Sequence, residues 1–197
     1  LVRPIFTETK STNGDMPSAT PDELAASILD CIGEGARVLN ISAAIDRLSF
    51  NNERALQEAL DEAARREVIV VAAAGNQGTP GSTAITRHPW VIPVVGYDLH
   101  GRPMNLSNLG SSIGRRGLGA PGDRITSHSA NGKPLTLEGT SAAAPFVTGA
   151  IALLWSEFPT ASAAQIKFAA TQASTPRRAS IVPPLLNAWA AYQALRK

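Results

Sequence analysis

Short apolar runs recur along the chain between longer polar and amphipathic stretches. Residues 37–42, 67–74 and 91–96 are such runs, and the second is rich in β-branched residues in its first half. Runs of this length and composition are typical of parallel strands that are buried on both faces. We therefore predict three buried strands over these residues.

Other stretches show the 3.6-residue spacing of amphipathic helices. Thr20-Pro21-Asp22-Glu23 is a capping box with proline at the first helical position, and the helix that it begins ends at Gly33 or Gly35. Further helices are predicted over residues 52–66, from Thr160 or Ser162 to about Ala173, and around a terminal apolar stripe of Leu185, Trp189, Tyr192 and Leu195. Residues 77–88 and 97–117 are rich in turn-forming residues, and we predict loops there.

The alternation of strands and helices is typical of an α/β protein with a doubly wound, mostly parallel sheet and helices on both faces. Ligands of such sheets bind beyond the carboxyl ends of the strands. Ser42 and Asn76 each follow a predicted strand directly, so both are expected at that edge of the sheet.

Residues 138–147, with the sequence Glu-Gly-Thr-Ser-Ala-Ala-Ala-Pro-Phe-Val, form a polar loop that leads directly into an apolar helix. Ser141 is predicted in the first turn, where N–H groups are unpaired and the helix dipole is positive, and Pro145 is compatible with that turn. From Phe146 the helix is apolar nearly all round, so we expect it to be buried. The position suits a nucleophile with an oxyanion site beside it, but this stretch alone favours an ordinary helix N-cap.

Three stretches in the same order resemble motifs of the subtilisin-like serine proteases, the subtilases. Residues 139–145 resemble the catalytic serine motif, residues 38–42 the substrate-binding strand, and residues 70–76 the strand that ends in the oxyanion-hole asparagine. Residues 120–122, Ala-Pro-Gly, resemble a structural turn ahead of the serine. The resemblance covers about residues 1–175 and implies a subtilisin-like fold, with Ser141 as nucleophile and Asn76 as oxyanion donor.

The resemblance also implies a binding groove for a polypeptide substrate. Its edge would be Ser42, Ala43 and Ala44, and its opposite wall Ala73, Ala74 and Gly75. The edge would pair with the substrate backbone by strand addition. The family usually has glycine where Ala44 and Ile45 stand, which favours a small or medium side chain in the pocket or an altered mode of binding.

The catalytic Asp and His of the family have no counterpart in the sequence. The family order is Asp, His, Ser, whereas His88, His100 and His128 all follow the stretches that should come after the histidine. The resemblance thus implies that this chain lacks the N-terminal part of the fold and that a separate segment or chain supplies both residues. Residues 1–175 would be the C-terminal portion of the catalytic domain, and residues 176–197 a linker and terminal helix packed on it.

Composition excludes several other classes of function. A net charge of +2 without a long basic run argues against nucleic acid as a partner, and no apolar run has membrane-spanning length. The single cysteine excludes an internal disulfide, and no cluster of metal ligands is visible. Many subtilases bind calcium, but no ligand can be matched in this sequence. The resemblance favours secretion, whereas a peptide-maturation enzyme would be cytoplasmic.

The leading hypothesis is therefore a subtilisin-like serine endopeptidase. One alternative is a peptide-maturation protease or macrocyclase of the same fold, which the stretches 105–110 and 118–122 faintly resemble. Another is a pseudo-protease that binds peptides without cutting them. The third, a structural α/β domain with chance motifs, is the weakest. The presence or absence of the Asp and His discriminates between the enzyme and the binding module.

Overall fold

The computed structural model describes residues 19–43, 53–129, 131–172 and 180–196. Its strands are β1 (Val38–Ile41), β2 (Ile69–Ala73), β3 (Ile92–Tyr97), β4 (Leu118–Pro121), β5 (Ile125–His128) and β6 (Pro134–Leu137). Its helices are α1 (Pro21–Gly33), α2 (Glu53–Arg65), α3 (Ala84–Arg87), α4 (Ser111–Arg116), α5 (Thr140–Glu157), α6 (Ala163–Gln172) and α7 (Ala188–Leu195).

Strands β1 to β4 form one sheet in the order β1-β2-β3-β4, and every neighbouring pair is parallel. Successive residues of β2 point to opposite faces, as strand geometry requires. Val70 and Ala72 pack in a core with α1 and α2, while Ile69 and Val71 pack in a second core with α5 and α6. The prediction of a doubly wound parallel sheet with helices on both faces is thus confirmed.

Local sequence explains where the first helix begins. Thr20 Oγ1 accepts a hydrogen bond from the N–H of Glu23, whose carboxylate in turn accepts from the N–H of Thr20. This is the predicted capping box, with Pro21 at the first helical position. Leu24, Ala25 and Ile28 then face the core beside α2.

The two edges of the sheet differ. At β4, the N–H of Gly119 donates to the carbonyl of Pro184, and the N–H of Leu186 donates back to the carbonyl of Gly119, so a later segment covers that edge. At β1, the described residues provide a neighbour on the β2 side alone. Among the described helices, none is long and apolar enough to cross a membrane.

Several predicted loops contain regular structure. Helices α3 and α4 lie within stretches predicted as loops, and residues 120–122, predicted as a turn, begin at the end of strand β4. The terminal helix α7 starts at Ala188, so the prediction that Leu185 belongs to its stripe is wrong. Its buried position is Ala191, while Trp189 is 64% exposed and stacks on Tyr192. Residues 1–6, whose sequence also predicts the end of a strand, lie outside the described residues.

The expectation that α5 is buried all round is also wrong. Ala144, Val147 and Ile151 pack on the sheet with no exposed area to speak of, but Phe146 is 46% and Leu153 72% exposed. The apolar composition of the helix reflects one sheet-facing side and an outer side that the described residues leave uncovered.

Candidate active site

Ser141 lies in the first turn of α5, at the carboxyl end of the sheet. The N-cap is Gly139, whose φ of 107° lies in the region that favours glycine. A Cβ at this position would lie 2.7 Å from Asn76 Nδ2, so glycine is also needed for the close approach of that amide. Gly139 therefore sets the angle at which the chain enters the helix beside Asn76.

Because α5 begins at Thr140, Pro145 lies in its second turn, and the prediction that places this proline in the first turn is wrong. Proline has no N–H, so the carbonyl of Ser141, four residues earlier, has no partner within the helix. Ser42 Oγ donates to this carbonyl over 3.1 Å, and Ser141 Oγ donates to the carbonyl of Ser42 over 3.0 Å. Because Pro145 has no N–H, the carbonyl of Ser141 is available to accept the hydrogen bond from Ser42.

Ser42 is oriented by a short chain of hydrogen bonds. Asn40 Nδ2 donates to Ser42 Oγ over 2.8 Å, and Thr148 Oγ1 donates to Asn40 Oδ1 over 2.9 Å. Because Thr148 lies on α5 and Asn40 on β1, the chain connects the helix, the edge strand and the predicted substrate edge. The motif-based reasoning singled out Ser42 but missed Asn40 and Thr148, although Asn40 lies inside the matched strand motif.

Asn76 follows β2 and is held by Thr140. Its Oδ1 accepts two hydrogen bonds of 2.9 Å, from the N–H and from the hydroxyl of Thr140. Because Oδ1 accepts both hydrogen bonds, the orientation of the Asn76 amide is fixed, and its Nδ2 remains available as a donor. Thr140 Oγ1 also accepts from the N–H of Gly75 over 3.1 Å, and Thr140 is fully buried.

Two N–H donors near Ser141 are unused within the described part of the chain. The N–H groups of Ala142 and Ala143 bond to the carbonyl of Gly139, and that of Thr140 bonds to Asn76. This leaves the N–H of Ser141 and the Nδ2 of Asn76 without an acceptor among the described residues. A helix N-terminus with unpaired N–H groups and a positive dipole favours a negatively charged oxygen.

The predicted pocket wall is largely buried and continues the hydrogen bonding of the sheet. Ala73 and Ala74 are 4% and 1% exposed, and the N–H of Ala74 continues the β2–β3 pairing by donating to the carbonyl of Val94. Gly75, with a φ of 103°, turns the chain towards Asn76. On the opposite edge, Ala43 is half-buried. Ala44 and Ile45 lie outside the described residues.

None of the three histidines hydrogen-bonds to Ser141 within the part of the chain that the structure describes. His88 is buried near the amino ends of the strands, 3.1 Å from Asp61 Oδ1, and its Nδ1 accepts from the N–H of Trp90. A five-residue strand spans about 17 Å, so His88 lies at the wrong end of the sheet for Ser141. His100 and His128 are exposed, in a turn and on β5.

A cleft of about 520 Å³ lies beyond the ends of β3 and β4 and is lined by Asp98, Asp123 and residues 102–106. The N–H of Met104, in its lining, donates to the carbonyl of Gly96 over 2.8 Å, and the N–H of Gly139 donates to the carbonyl of Gly122 over 2.8 Å. At its rim the N–H of Arg102, among other donors, lowers the pKa of the Asp98 carboxyl. No three His, Cys, Asp or Glu side chains in the described ranges lie together as a metal site, so the implied calcium site remains an expectation without ligands.

Comparison with known proteins finds that the chain is similar to proteases. The subtilase family profile matches residues 9–184. Subtilisin DY of Bacillus licheniformis is 32% identical over 154 residues, which are 76% of this chain and 54% of the relative, so the chain spans about half the length of this curated relative.

The fold is also similar to that of solved structures of proteases. The prenylagaramide maturation protease PagA superposes with a TM-score of 0.83 at 26% identity, over 92% of this chain and 69% of its own. The self-cleaved protease domain of PatA superposes with a TM-score of 0.80 at 31% identity, over 90% and 68%.

Proposed function

The chain belongs to the subtilase family, and we propose that it is the C-terminal portion of a serine endopeptidase that cuts polypeptides through an acyl-enzyme on Ser141. The observation that carries the proposal is the pair of unused donors next to the Ser141 hydroxyl, namely the Ser141 N–H and the Asn76 amide. We assign residues 1–175 to the catalytic domain and residues 176–197 to a linker and terminal helix.

In the proposed reaction, Ser141 Oγ attacks the carbonyl carbon of the peptide bond while a base takes its proton. The negative charge develops on the former carbonyl oxygen, where the Ser141 N–H and Asn76 Nδ2 stabilise it. The C–N bond then breaks, the amine leaves with a proton, and an ester to Ser141 remains until water hydrolyses it. Thr140 supports this step because it turns the Asn76 amide so that Nδ2 is free.

The substrate backbone would pair with the edge formed by Ser42, Ala43 and Ala44, opposite the wall of Ala73, Ala74 and Gly75. The buried wall, which continues the hydrogen bonding of the sheet, and the hydrogen-bonded Ser42 support such a groove. Rigid elements position a scissile bond better than mobile ones, which favours the serine's attack.

A segment outside residues 1–197 would complete the site with the catalytic Asp and His. The described residues pair with β1 on its β2 side alone, which supports this, because the backbone N–H and C=O groups at a sheet edge are a template for another strand. Thr148 binds Asn40 of β1, so its flank of α5 borders that edge, and Pro145 and Ala152 on the same flank are exposed. The segment is therefore expected to pair with β1 and to pack on this flank, which brings its histidine to Ser141.

The test is labelling with a fluorophosphonate, which reacts with activated serines. The protein with the completing segment restored should be labelled and should cleave a casein substrate, and Ser141→Ala should abolish both. Residues 1–197 alone should show neither activity. Full labelling of the Ser141→Ala variant would place the nucleophile elsewhere, and activity of residues 1–197 alone would refute the completing segment. Peptide binding without any labelling would identify a pseudo-protease.

The oxyanion assignment has its own test. Asn76→Ala should lower kcat by roughly 10²–10³-fold, or about 2.7–4 kcal/mol, the loss known for the oxyanion asparagine of a subtilisin. KM should change little, because the hydrogen bond matters most in the transition state. A variant that raises KM and leaves kcat intact would instead make Asn76 a pocket residue.

A second candidate is a peptide-maturation protease or macrocyclase of the same fold, which the superposition on PagA and the PatA protease domain favours. The proteases and the macrocyclase pass through the same acyl-enzyme and differ in what attacks it, water for the proteases and a peptide amine for the macrocyclase. Mass spectrometry of the products from a precursor peptide separates them, since hydrolysis yields linear peptides and amine attack yields a cyclic or ligated product that lacks one water.

A further inference from the structure

Asn108 is a buried polar side chain below the turn that carries Asn76. It is 7% exposed and lies in the loop between β3 and α4. Its Oδ1 accepts from the N–H groups of Gln77 and Thr79 over 3.1 and 3.2 Å, and its Nδ2 donates to the Ala74 carbonyl and to Gln77 Oε1 over 3.2 and 2.7 Å. One side chain thus binds residues on both sides of Asn76.

The backbone of Asn108 joins the same turn, because its N–H donates to the carbonyl of Gly75 over 2.9 Å. A Cβ on Gly75 would collide with Asn108 Nδ2, so the asparagine fills the space that glycine leaves. Since both ends of the amide are occupied, a reversed amide would set its NH₂ against two N–H donors. The orientation of Asn108, and with it the path of residues 74–79, is therefore fixed.

We propose that Asn108 is a positioning residue for the oxyanion site: it fixes the backbone from which Asn76 projects, while Thr140 fixes the Asn76 side chain. The proposal rests on the proposed function, in which Asn76 Nδ2 donates to the developing oxyanion. Asn76 is itself exposed, so its position depends on these two anchors. Hydrogen bonds of this kind stabilise a transition state only when the donor is already in place.

Asn108→Asp is the most informative variant. It keeps the shape of the side chain and the oxygen that accepts from Gln77 and Thr79, but replaces Nδ2 with an oxygen that faces two acceptors. In the protein with the completing segment restored, we expect kcat to fall by about tenfold, a part of what removal of the Asn76 amide itself costs, with little change in KM. Asn105→Asp, an exposed change in the same loop, adds the same charge and should leave kcat unchanged.

A double-mutant cycle separates positioning from a general structural role. In the Asn76→Ala background Asn108→Asp should lower kcat no further, because the group that Asn108 positions is gone. An equal fall of kcat in both backgrounds would overturn the proposal. If Asn76→Ala alone leaves kcat unchanged, it is the oxyanion assignment of Asn76 that fails, and the positioning role fails with it.

Hydrogen exchange supplies a readout that does not need activity. Asn108→Asp should speed amide exchange in residues 75–79 and leave α6 unchanged, and unchanged exchange in residues 75–79 would overturn the proposal even for an inactive protein. Should Asn108→Asp not fold, Gln77→Ala removes one partner of Asn108 at an exposed position. It should give the same pattern with a smaller fall of kcat.

Discussion

Lys167 provides a test of how burial and charge act on the fold away from the site. Its ammonium group donates to the carbonyls of Pro89 and Trp90 over 2.9 and 2.7 Å and lies 4.4 Å from the centre of the Trp90 ring. These contacts favour the cation. Burial, with the nearby Arg116 guanidinium second, opposes it and lowers the pKa of Lys167 from 10.5 to about 8.

The sign of the pH dependence follows from that shift. Between pH 8 and 10.5 the unfolded chain keeps the proton on Lys167 and the folded chain has released it. The unfolded state binds more protons there, so stability rises with pH across this window, and below pH 8 the full cost of the buried cation is present. The shift corresponds to about 3 kcal/mol, which partial exposure reduces to about 1–2 kcal/mol.

Lys167→Met removes the charge and keeps an unbranched apolar chain of similar length. We expect the free energy of unfolding of the wild type, minus that of the variant, to increase by about 1–2 kcal/mol from pH 7 to pH 10. Urea denaturation at pH steps of one-half measures it, and Lys133→Met, at an exposed lysine on the β5–β6 hairpin, should give a flat difference. A flat or falling difference for Lys167→Met would mean that the two carbonyls and the indole outweigh burial.

Two further substitutions test packing and hydrogen bonding at named positions. Thr140→Val leaves the buried N–H of Gly75 without its acceptor and should lower the free energy of unfolding by about 1–3 kcal/mol. Thr140→Ser keeps the hydroxyl and should lower it less. Equal losses for the two variants would assign the effect to the shape of the side chain alone. Gly114→Ala would drive a Cβ into the main-chain oxygen of Ser180 and should destabilise by about 1–3 kcal/mol, whereas Gly33→Ala, with no atom within 4 Å of the new Cβ, should be neutral or slightly stabilising in the same denaturation assay.

The predictable part of the fold is the part with strong periodicity. Apolar runs such as 67–74 can bury both faces only in a covered parallel sheet, so β2 and its neighbours follow from the sequence. Strand β4 does not, because its sequence, Leu118-Gly119-Ala120-Pro121, contains glycine and proline, which are depleted in strands. It forms a strand since Val94 to Tyr97 of β3 pair with it and residues 184–186 cover its other side, which is tertiary information.

At the site, the sequence motifs identify the candidate functional residues but not the residues that hold them in place by hydrogen bonds. Ser42, Asn76 and Ser141 were each marked by a motif and a strand or helix end, and the structure brings Ser42 to Ser141 and Thr140 to Asn76. The sequence predicts Pro145 in the first turn, where its missing N–H has no consequence. The start of the helix at Thr140 places it in the second turn, where the missing N–H leaves the carbonyl of Ser141 without its helical partner. Asn108 carries no local signal, since its partners lie about 30 residues earlier in the chain.

Helix α5 contacts all four strands of the main sheet, yet it follows the last of them in the chain. On the ribosome, the strands emerge before the helix that covers one of their faces. Until residues 140–157 have been synthesised, none of the helices that the structure describes is available to pack on Ile69, Val71, Ile92 and Val94 on that side. The nascent chain therefore exposes an apolar sheet face for much of its synthesis, and contacts of such long sequence separation make late, slow and chaperone-sensitive folding the expected behaviour.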